Sequence, residues 1–414
     1  MERLLNLRFI RYIIYYNLCS VKSYPQKTKI IDPRPEARYN IGRKNRREPH
    51  GGCCHHPPRH SLLQAAATQN AIEALGHSCR IIDYVRPNEV CTQLHKCQLQ
   101  QKPRWNRTPL RRRVYSTLRY TENVMAGRLF ESARRQMLHL TEPFSTAQEL
   151  TANGPKADVY MTGSDQVWGP MEDGTYDPVY RLAFAPQGTK KVAYAASFGR
   201  TELSKPLRGQ FCRDLRQYAT ITVREDSAIA LLRQLGLEGK QVIDPVFLPD
   251  DAFWQSLLEP ISAAPGSYFL VYQIHKDPAL CAYAKAAAKA VGKPLLRLSA
   301  SVHQATWGGK FIYAPTPGQF LHYIKNAACV ITDSFHGTAF SLRFGVPFAE
   351  VLPTNCTGTR NQSLLTLTGL QSRLVTDPAD TALTATPINY APVHKKIETA
   401  RTASLSLLRE MIEK

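Results

Sequence analysis

Apolar and polar positions follow no fixed period through residues 1–60, and a clear one begins at Ser61. Leu62, Leu63, Ala66, Ala67, Ala71, Ile72 and Leu75 fall largely at helical spacing, and Gly76 ends that helix. CRIIDYV (79–85) reads as a strand broken by Pro87. Residues 95–150 are polar and basic, with helices expected around 111–137. ADVYMTG (157–163), KKVAYAASFG (190–199) and ATITVRE (219–225) read as buried strands. A helix follows from Asp226 to Leu235, and QVIDPVF (241–247) reads as a fourth strand of this kind. A second series starts at YFLVYQI (268–274). Its helix over 279–292 opens on Asp277 and Pro278, a capping residue and a first-turn proline. Strands PLLRLSA (294–300), KFIYA (310–314), ACVITDS (328–334) and PFAEV (347–351) follow. Between them lie helices from Pro317 and over Gly337–Phe344, with others over Asn361–Leu367 and 402–414. Repeated strand–turn–helix units imply parallel sheets covered on both faces.

The units fall into two α/β domains, 61–256 and 268–395, joined by a linker at 257–267 and closed by a helix over 396–414. A chain of 414 residues exceeds what one core usually holds, which agrees with two domains. The Pro-, Arg- and His-rich stretch 1–60 reads as an atypical, disordered segment. No strand or glycine-rich turn precedes the Leu62 helix, so 1–60 does not read as the natural start of this domain; a frame-shifted opening is one expectation and a genuine insertion the other. The first 21 residues resemble a signal peptide, but Arg8 and Arg11 interrupt the apolar run and no small-x-small cleavage site follows, which leaves an ill-fitting start or an amphipathic surface segment as the readings.

The formal net charge of +20 suggests an anionic partner, but its placement changes that picture. Residues 1–60 carry +9, residues 61–120 carry +7, and the remainder only +4. The run RTPLRRRVYSTLRY reads as one solvated helix face rather than a nucleic-acid patch. The 10 cysteines have irregular spacing with no Cys-x-x-Cys pair, which fits thiols in a reducing compartment, the cytoplasm. No uncharged apolar stretch reaches the length of a membrane span.

Candidate chemistry sits at strand ends, where sites of such folds lie. ITDSFHGT delivers Ser334, His336, Gly337 and Thr338 to a helix N-terminus, which favours an anion, and His336 can donate to it or move a proton. Gly163, Ser164, Asp165 and Gln166 follow another strand, with Asp165 and Gln166 suited to hold sugar hydroxyls and Trp168 to offer a flat platform. Arg224 ends the VRE strand with a permanently charged donor fork for a carboxylate or phosphate, unless it pairs with a neighbour such as Asp226. Ser197 ends a further strand, and Arg360 is a basic candidate in the second domain. Cys53-Cys54-His55-His56 has metal-ligand residue types, but adjacent positions without a second pair do not build a tetrahedral site, and no metal is expected. Dinucleotide, P-loop and nucleophile-elbow motifs are absent.

MTGSDQVW, AASFG, ITVREDS, VIDP and ITDSFHGTAFSLRFGVPF resemble the polysaccharide pyruvyl transferase family, with matching blocks over about 61–375. The resemblance implies two facing Rossmann-like domains, a GT-B-like arrangement. It implies transfer of the enolpyruvyl unit of phosphoenolpyruvate onto a sugar of a polysaccharide or lipid-linked glycan, forming a pyruvate ketal. The donor is phosphoenolpyruvate and no cofactor is implied. His336 takes the family's acid/base position and Arg224 its phosphoenolpyruvate-holding position. Some members carry Arg-Leu before that histidine, where this chain has Ser334-Phe335; Arg343 and Arg360 are the candidates to replace the missing arginine. No nucleic-acid partner is implied, and peripheral association with the inner face of the membrane is expected. The rival readings are a nucleotide-sugar glycosyltransferase on the same architecture, a non-enzymatic binder of anions, and a family member inactivated at its amino terminus.

Overall fold

A computed structural model describes residues 18–22, 59–87, 90–100, 102–170, 175–353 and 358–414. The first sheet holds β1 (Leu18–Lys22), β2 (Ser78–Tyr84), β3 (Leu140–Phe144), β4 (Val159–Thr162), β5 (Lys190–Ala196), β6 (Thr220–Val223) and β7 (Lys240–Gln241). Its order is β3-β2-β1-β4-β5-β6-β7. Helices α1 (Arg59–Ala74), α2 (Cys91–Gln100), α3 (Pro109–Met137), α4 (Ala147–Asn153), α5 (Lys205–Leu215) and α6 (Asp226–Gln234) intervene. After α7 (Asp251–Ser256) comes a second sheet of β8 (Phe269–Tyr272), β9 (Leu295–Ser299), β10 (Lys310–Tyr313), β11 (Cys329–Thr332) and β12 (Phe348–Glu350). Every pair in it is parallel, in the order β10-β9-β8-β11-β12. Helices α8 (Pro278–Ala290), α9 (Pro317–Lys325), α10 (Phe335–Phe344) and α11 (Thr359–Thr368) cover it, and α12 (Tyr390–Glu413) closes the chain. This is the expected α/β architecture of parallel sheets flanked by helices.

Departures from the sequence reading have physical causes. Part of 1–60 is ordered: Leu18–Lys22 fills the centre of the first sheet, antiparallel to β2 and to β4. An empty slot there would leave two rows of backbone donors and acceptors unpaired inside a sheet, and a short extended segment of either direction satisfies them. Its direction puts Leu18 beside Thr162, so the amino end of β1 lies at the edge where β4 ends. The amphipathic stretch up to residue 17 and Cys53-Cys54-His55-His56 lie outside the described residues. The strand expected over 241–247 stops after Gln241, apart from one further rung from Val242 N to Val223 O. Asp244 then caps Val246 N at 3.0 Å and Pro245 opens a three-ten turn, because proline cannot extend the ladder.

The linker is also not a loose tether. Trp254 of α7 is fully buried and meets the Phe340 ring edge-on at 5.1 Å. Thr316 Oγ1 donates to Glu259 Oε2, and Arg343 Nη2 donates to Pro249 O at 3.0 Å. The closing helix begins at Tyr390, ahead of the expected 396, and runs from one half of the fold to the other. Tyr390 Oη donates to Val346 O in the second domain; further along, Ser404 Oγ accepts from Ile243 N at 3.1 Å and Glu413 Oε1 lies 3.3 Å from His77 Nε2 in the first. One apolar core accordingly runs through both halves, from Leu62 and Tyr194 to Leu270, Phe340 and Leu408.

Candidate functional site

The carboxyl ends of β4, β5 and β6 and the Asp244 turn meet those of β8 and β11 across the two sheets. At the end of β4, Asp165 adopts φ of +79°, in the left-handed region that aspartate tolerates because its carboxylate bonds the local backbone. That carboxylate accepts from Gln166 N at 2.9 Å, and Asp165 O accepts from Ser197 N at 2.9 Å. After β5, Gly199 turns at φ of +62°, and a Cβ there would stand 2.6 Å from Gln166 Cδ, so only glycine lets these two loops approach.

Arg224 follows β6 and is the hub. Its Nη1 donates to Asp244 Oδ2 at 2.6 Å and its Nη2 to Asp165 Oδ1 at 3.2 Å. Its guanidinium carbon lies 4.2 Å from the centre of the Phe335 ring, a cation–π contact from the other domain. The pairing with Asp226 weighed from sequence does not occur: Asp226 instead accepts from Ser363 Oγ of α11 at 2.8 Å. Burial works against the Arg224 charge, but Asp244, Asp165 and Glu225 outweigh it and hold the guanidinium above its ordinary value. Asp244 Oδ2 also accepts from Gln64 Nε2 at 2.7 Å and Ser164 Oγ at 3.3 Å, and His336 Nε2 lies 4.0 Å away.

The second domain contributes α10 and α11. His336 is only 1% exposed in the first turn of α10. Ser334 is the residue before that helix and offers no side-chain cap. Gly337 lies flat on β11: a Cβ would stand 2.4 Å from Thr332 Oγ1, which accounts for glycine there by packing alone. Thr338 Oγ1 and Asn361 Nδ2 both donate to the buried carboxylate of Glu350, which burial pushes well above its ordinary range. Arg360 Nη1 donates to Asp165 Oδ1 at 3.3 Å, and with its amide oxygen turned inward Gln166 accepts from Arg360 Nη2 at 2.5 Å. Burial, with Arg224 beside it, pulls the Arg360 guanidinium down to about 10.

Asp165, Gln166, Ser164, Arg224, Arg360 and His336 thus converge. Ser197 stands at the edge of the cluster, donating to Glu225 Oε1 at 2.7 Å, and burial pushes that carboxyl up. Arg343 does not join: its Nη2 lies 2.6 Å from Asp251 at the start of α7. Trp168 is no platform, since it is 1% exposed and packs on Phe198 with centroids 5.0 Å apart. Sequence reasoning missed Gln64, Glu225 and the acceptor role of Asp244. It also missed Asp333, whose carboxylate accepts from Ile274 N and His275 N and holds His275 Nδ1 at 3.0 Å. A strand-end aspartate before a histidine was the available signal for the last. A cavity of about 330 Å³ borders the cluster; Arg224, Asp244, Phe335, Ser363 and Ser404 line it, while His336 and Arg360 do not. Arg224 on the cavity, with Arg360 and His336 in the same buried cluster, suits a small anionic group. Among the described residues no three His, Cys, Asp or Glu side chains group as metal ligands.

The chain is similar to UDP-N-acetylglucosamine 2-epimerase from Rickettsia bellii, at 13% identity over 69% of this chain and 86% of that one, TM-score 0.38. A UDP-N-acetylglucosamine 2-epimerase from Listeria monocytogenes aligns at 12% identity over 67% and 86%, TM-score 0.39. That from Neisseria meningitidis, bound to UDP-GlcNAc, aligns at 9% identity over 78% and 98%, TM-score 0.35. Such distant likenesses carry nothing about the reaction. No curated protein matches the sequence. The sequence profile described as polysaccharide pyruvyl transferase matches residues 61–353, well over half of the chain and spanning both sheets, and it contains Asp165, Arg224, Asp244 and His336. The chain belongs to the polysaccharide pyruvyl transferase family.

Proposed function

We propose that the chain transfers the enolpyruvyl unit of phosphoenolpyruvate onto two hydroxyls of one sugar in a polysaccharide or lipid-linked glycan precursor. The meeting of Arg224, Arg360 and His336 in one buried cluster carries this reading. Phosphoenolpyruvate has a phosphate and a carboxylate, and two guanidiniums suit the pair. Arg224, stacked on Phe335 and turned to the 330 Å³ cavity, takes one anionic group. Arg360, from α11, takes the other and stands in for the arginine that some members carry at the Ser334 position. The contacts of Asp165 and Gln166 with both arginines favour a positioning role for them over direct contact with the acceptor.

In the reaction a proton adds to the methylene carbon, and the first sugar hydroxyl, losing its own proton, bonds to C2. The C2–O bond to phosphate then breaks, the second hydroxyl bonds to C2, and its proton leaves with inorganic phosphate. His336 serves as donor to the methylene or as base toward a hydroxyl. Asp244, 4.0 Å from its Nε2, stabilises the imidazolium. Cys212, Cys281 and Cys329 are thiols, which supports a cytoplasmic setting.

The test supplies phosphoenolpyruvate with a panel of hexose-containing acceptors, reading phosphate release and the new ketal methyl group. His336→Ala is expected to lose both; ketal formation at the parent rate would sink the role. Nucleotide sugars in parallel, reading nucleoside diphosphate release, would reveal the glycosyltransferase instead.

A further inference from the structure

Helix α3, at 29 residues, is the longest described helix, and among the described residues one side of it packs on the fold. Tyr115, Asn123, Ala126, Phe130, Ala133 and Arg134 are buried against the first domain. The opposite side carries Leu110, Val114, Leu118, Met125 and Leu129, between 42% and 73% exposed. Their spacings of four, four, seven and four residues put them within an arc of roughly 100°, along about 28 Å of helix. A solvated face would place polar residues there, and within the run 107–120 Leu110, Val114 and Leu118 depart from that expectation.

The surroundings of the stripe say what it meets. Between residues 102 and 120 there are seven lysine or arginine residues and no aspartate or glutamate. Arg104, Arg107, Arg111, Arg112, Arg113 and Arg128 are exposed, as is Trp105 at the approach to the helix. An apolar stripe flanked by arginines with an interfacial tryptophan nearby matches a bilayer surface bearing negative headgroups. A second copy docking by the same face would bring these arginines against their own counterparts, which disfavours a symmetric dimer. The helix reaches the carboxyl edge of the second sheet: Glu122 pairs with Arg119 and accepts at 2.7 Å from Val302 N, in the loop after β9. No described helix is long and apolar enough to span a membrane, so the contact is with its surface.

We propose that the outer face of α3 docks the protein on an anionic lipid bilayer, with the cleft beside the surface. This goes beyond the transfer reaction and stands whether or not phosphoenolpyruvate is the donor. The apolar residues enter the headgroup boundary while the arginines contact phosphates.

The full chain is floated with vesicles of phosphatidylglycerol and phosphatidylcholine in equal parts, and with pure phosphatidylcholine. Binding is expected to the anionic vesicles, weak on the neutral ones, and reduced by about 0.5 M salt. Leu118→Glu with Met125→Glu, and separately Arg111→Gln with Arg112→Gln and Arg113→Gln, should each lower partitioning about tenfold or more while thermal melting is unchanged. Should the first pair fail to fold, the arginine set, all exposed, decides alone. Absence of binding to anionic vesicles, equal binding to neutral ones, or variants that bind like the parent would overturn the proposal. So would a dimer in vesicle-free buffer that the leucine-stripe pair dissolves, or heparin binding as tight as vesicle binding and insensitive to that pair.

Discussion

Asp165, just after β4, and Arg360, on α11, are joined by a 3.3 Å hydrogen bond although 195 residues separate them and they belong to different halves of the fold. The same oxygen takes Arg224 Nη2 at 3.2 Å, so one carboxylate aligns a guanidinium from each half. The cluster therefore forms only when the two halves are closed on each other.

Arg360→Ala should lower turnover of the proposed transfer by about 100-fold or more, the usual effect of losing one charged donor at a reacting anion. Arg343→Ala is the control. Its guanidinium holds Pro249 O and Asp251, outside the cluster, so it should cost roughly 1 kcal/mol of stability and leave turnover within about threefold. Steady-state phosphate release and a urea titration separate the two. Equal losses of turnover would assign the missing arginine wrongly.

Gly337→Ala should destabilise the second domain by about 2 kcal/mol, because the new methyl would sit 2.4 Å from Thr332 Oγ1 and 3.0 Å from its Cβ. Thr332 cannot easily yield, since its hydroxyl donates to Tyr272 O at 2.6 Å. The urea midpoint measures this; an unchanged midpoint would mean that α10 shifts freely on β11.

Glu350→Gln should raise the melting temperature at pH 8 and change it less near pH 4.5. Burial raises the folded carboxyl well above 4.5, so the folded chain keeps a proton that the unfolded chain releases. Stability from this group is full below the unfolded value and falls as pH rises toward the folded one. Glutamine is neutral throughout, accepts from Asn361 with its oxygen, and donates to Thr338 with its nitrogen. Parallel pH–melting curves for the two proteins would contradict the burial argument.

Leu408→Ala, in the last helix, should cost about 3 kcal/mol despite its place near the end of the chain. It is fully buried in the core shared by both sheets. A loss under 1 kcal/mol would show that α12 is an accessory cover.

Much of this architecture was legible because buried parallel strands are continuous apolar runs. VYMT, VAYAA and CVIT each stand out from polar flanks, and the polar residues that follow them form the candidate site. His336 and Arg224 could be picked for that reason. Asp244 could not: the run VIDPVF has a strand's composition, and only the turn at Pro245 aims its carboxylate at Arg224. Gln64 sits among alanines and leucines on α1, where nothing local marks a residue whose partner is 180 positions away. β1 was illegible because its five residues pair through backbone rather than through pattern. The exposed stripe of α3 was hidden by the arginines around it, since a charged run reads as solvated whatever stands between the charges.

The closing helix makes the order of synthesis matter. Ser404 satisfies Ile243 N, 161 residues earlier, and Leu408 and Ile412 complete a core whose other walls left the ribosome long before. The first domain therefore emerges with a bare apolar flank and cannot mature as an independent unit on the nascent chain, although domains usually fold in that sequence. Its final stability is acquired after translation has passed through the second domain, so slow elongation there prolongs the exposure of that flank to chaperones and to aggregation.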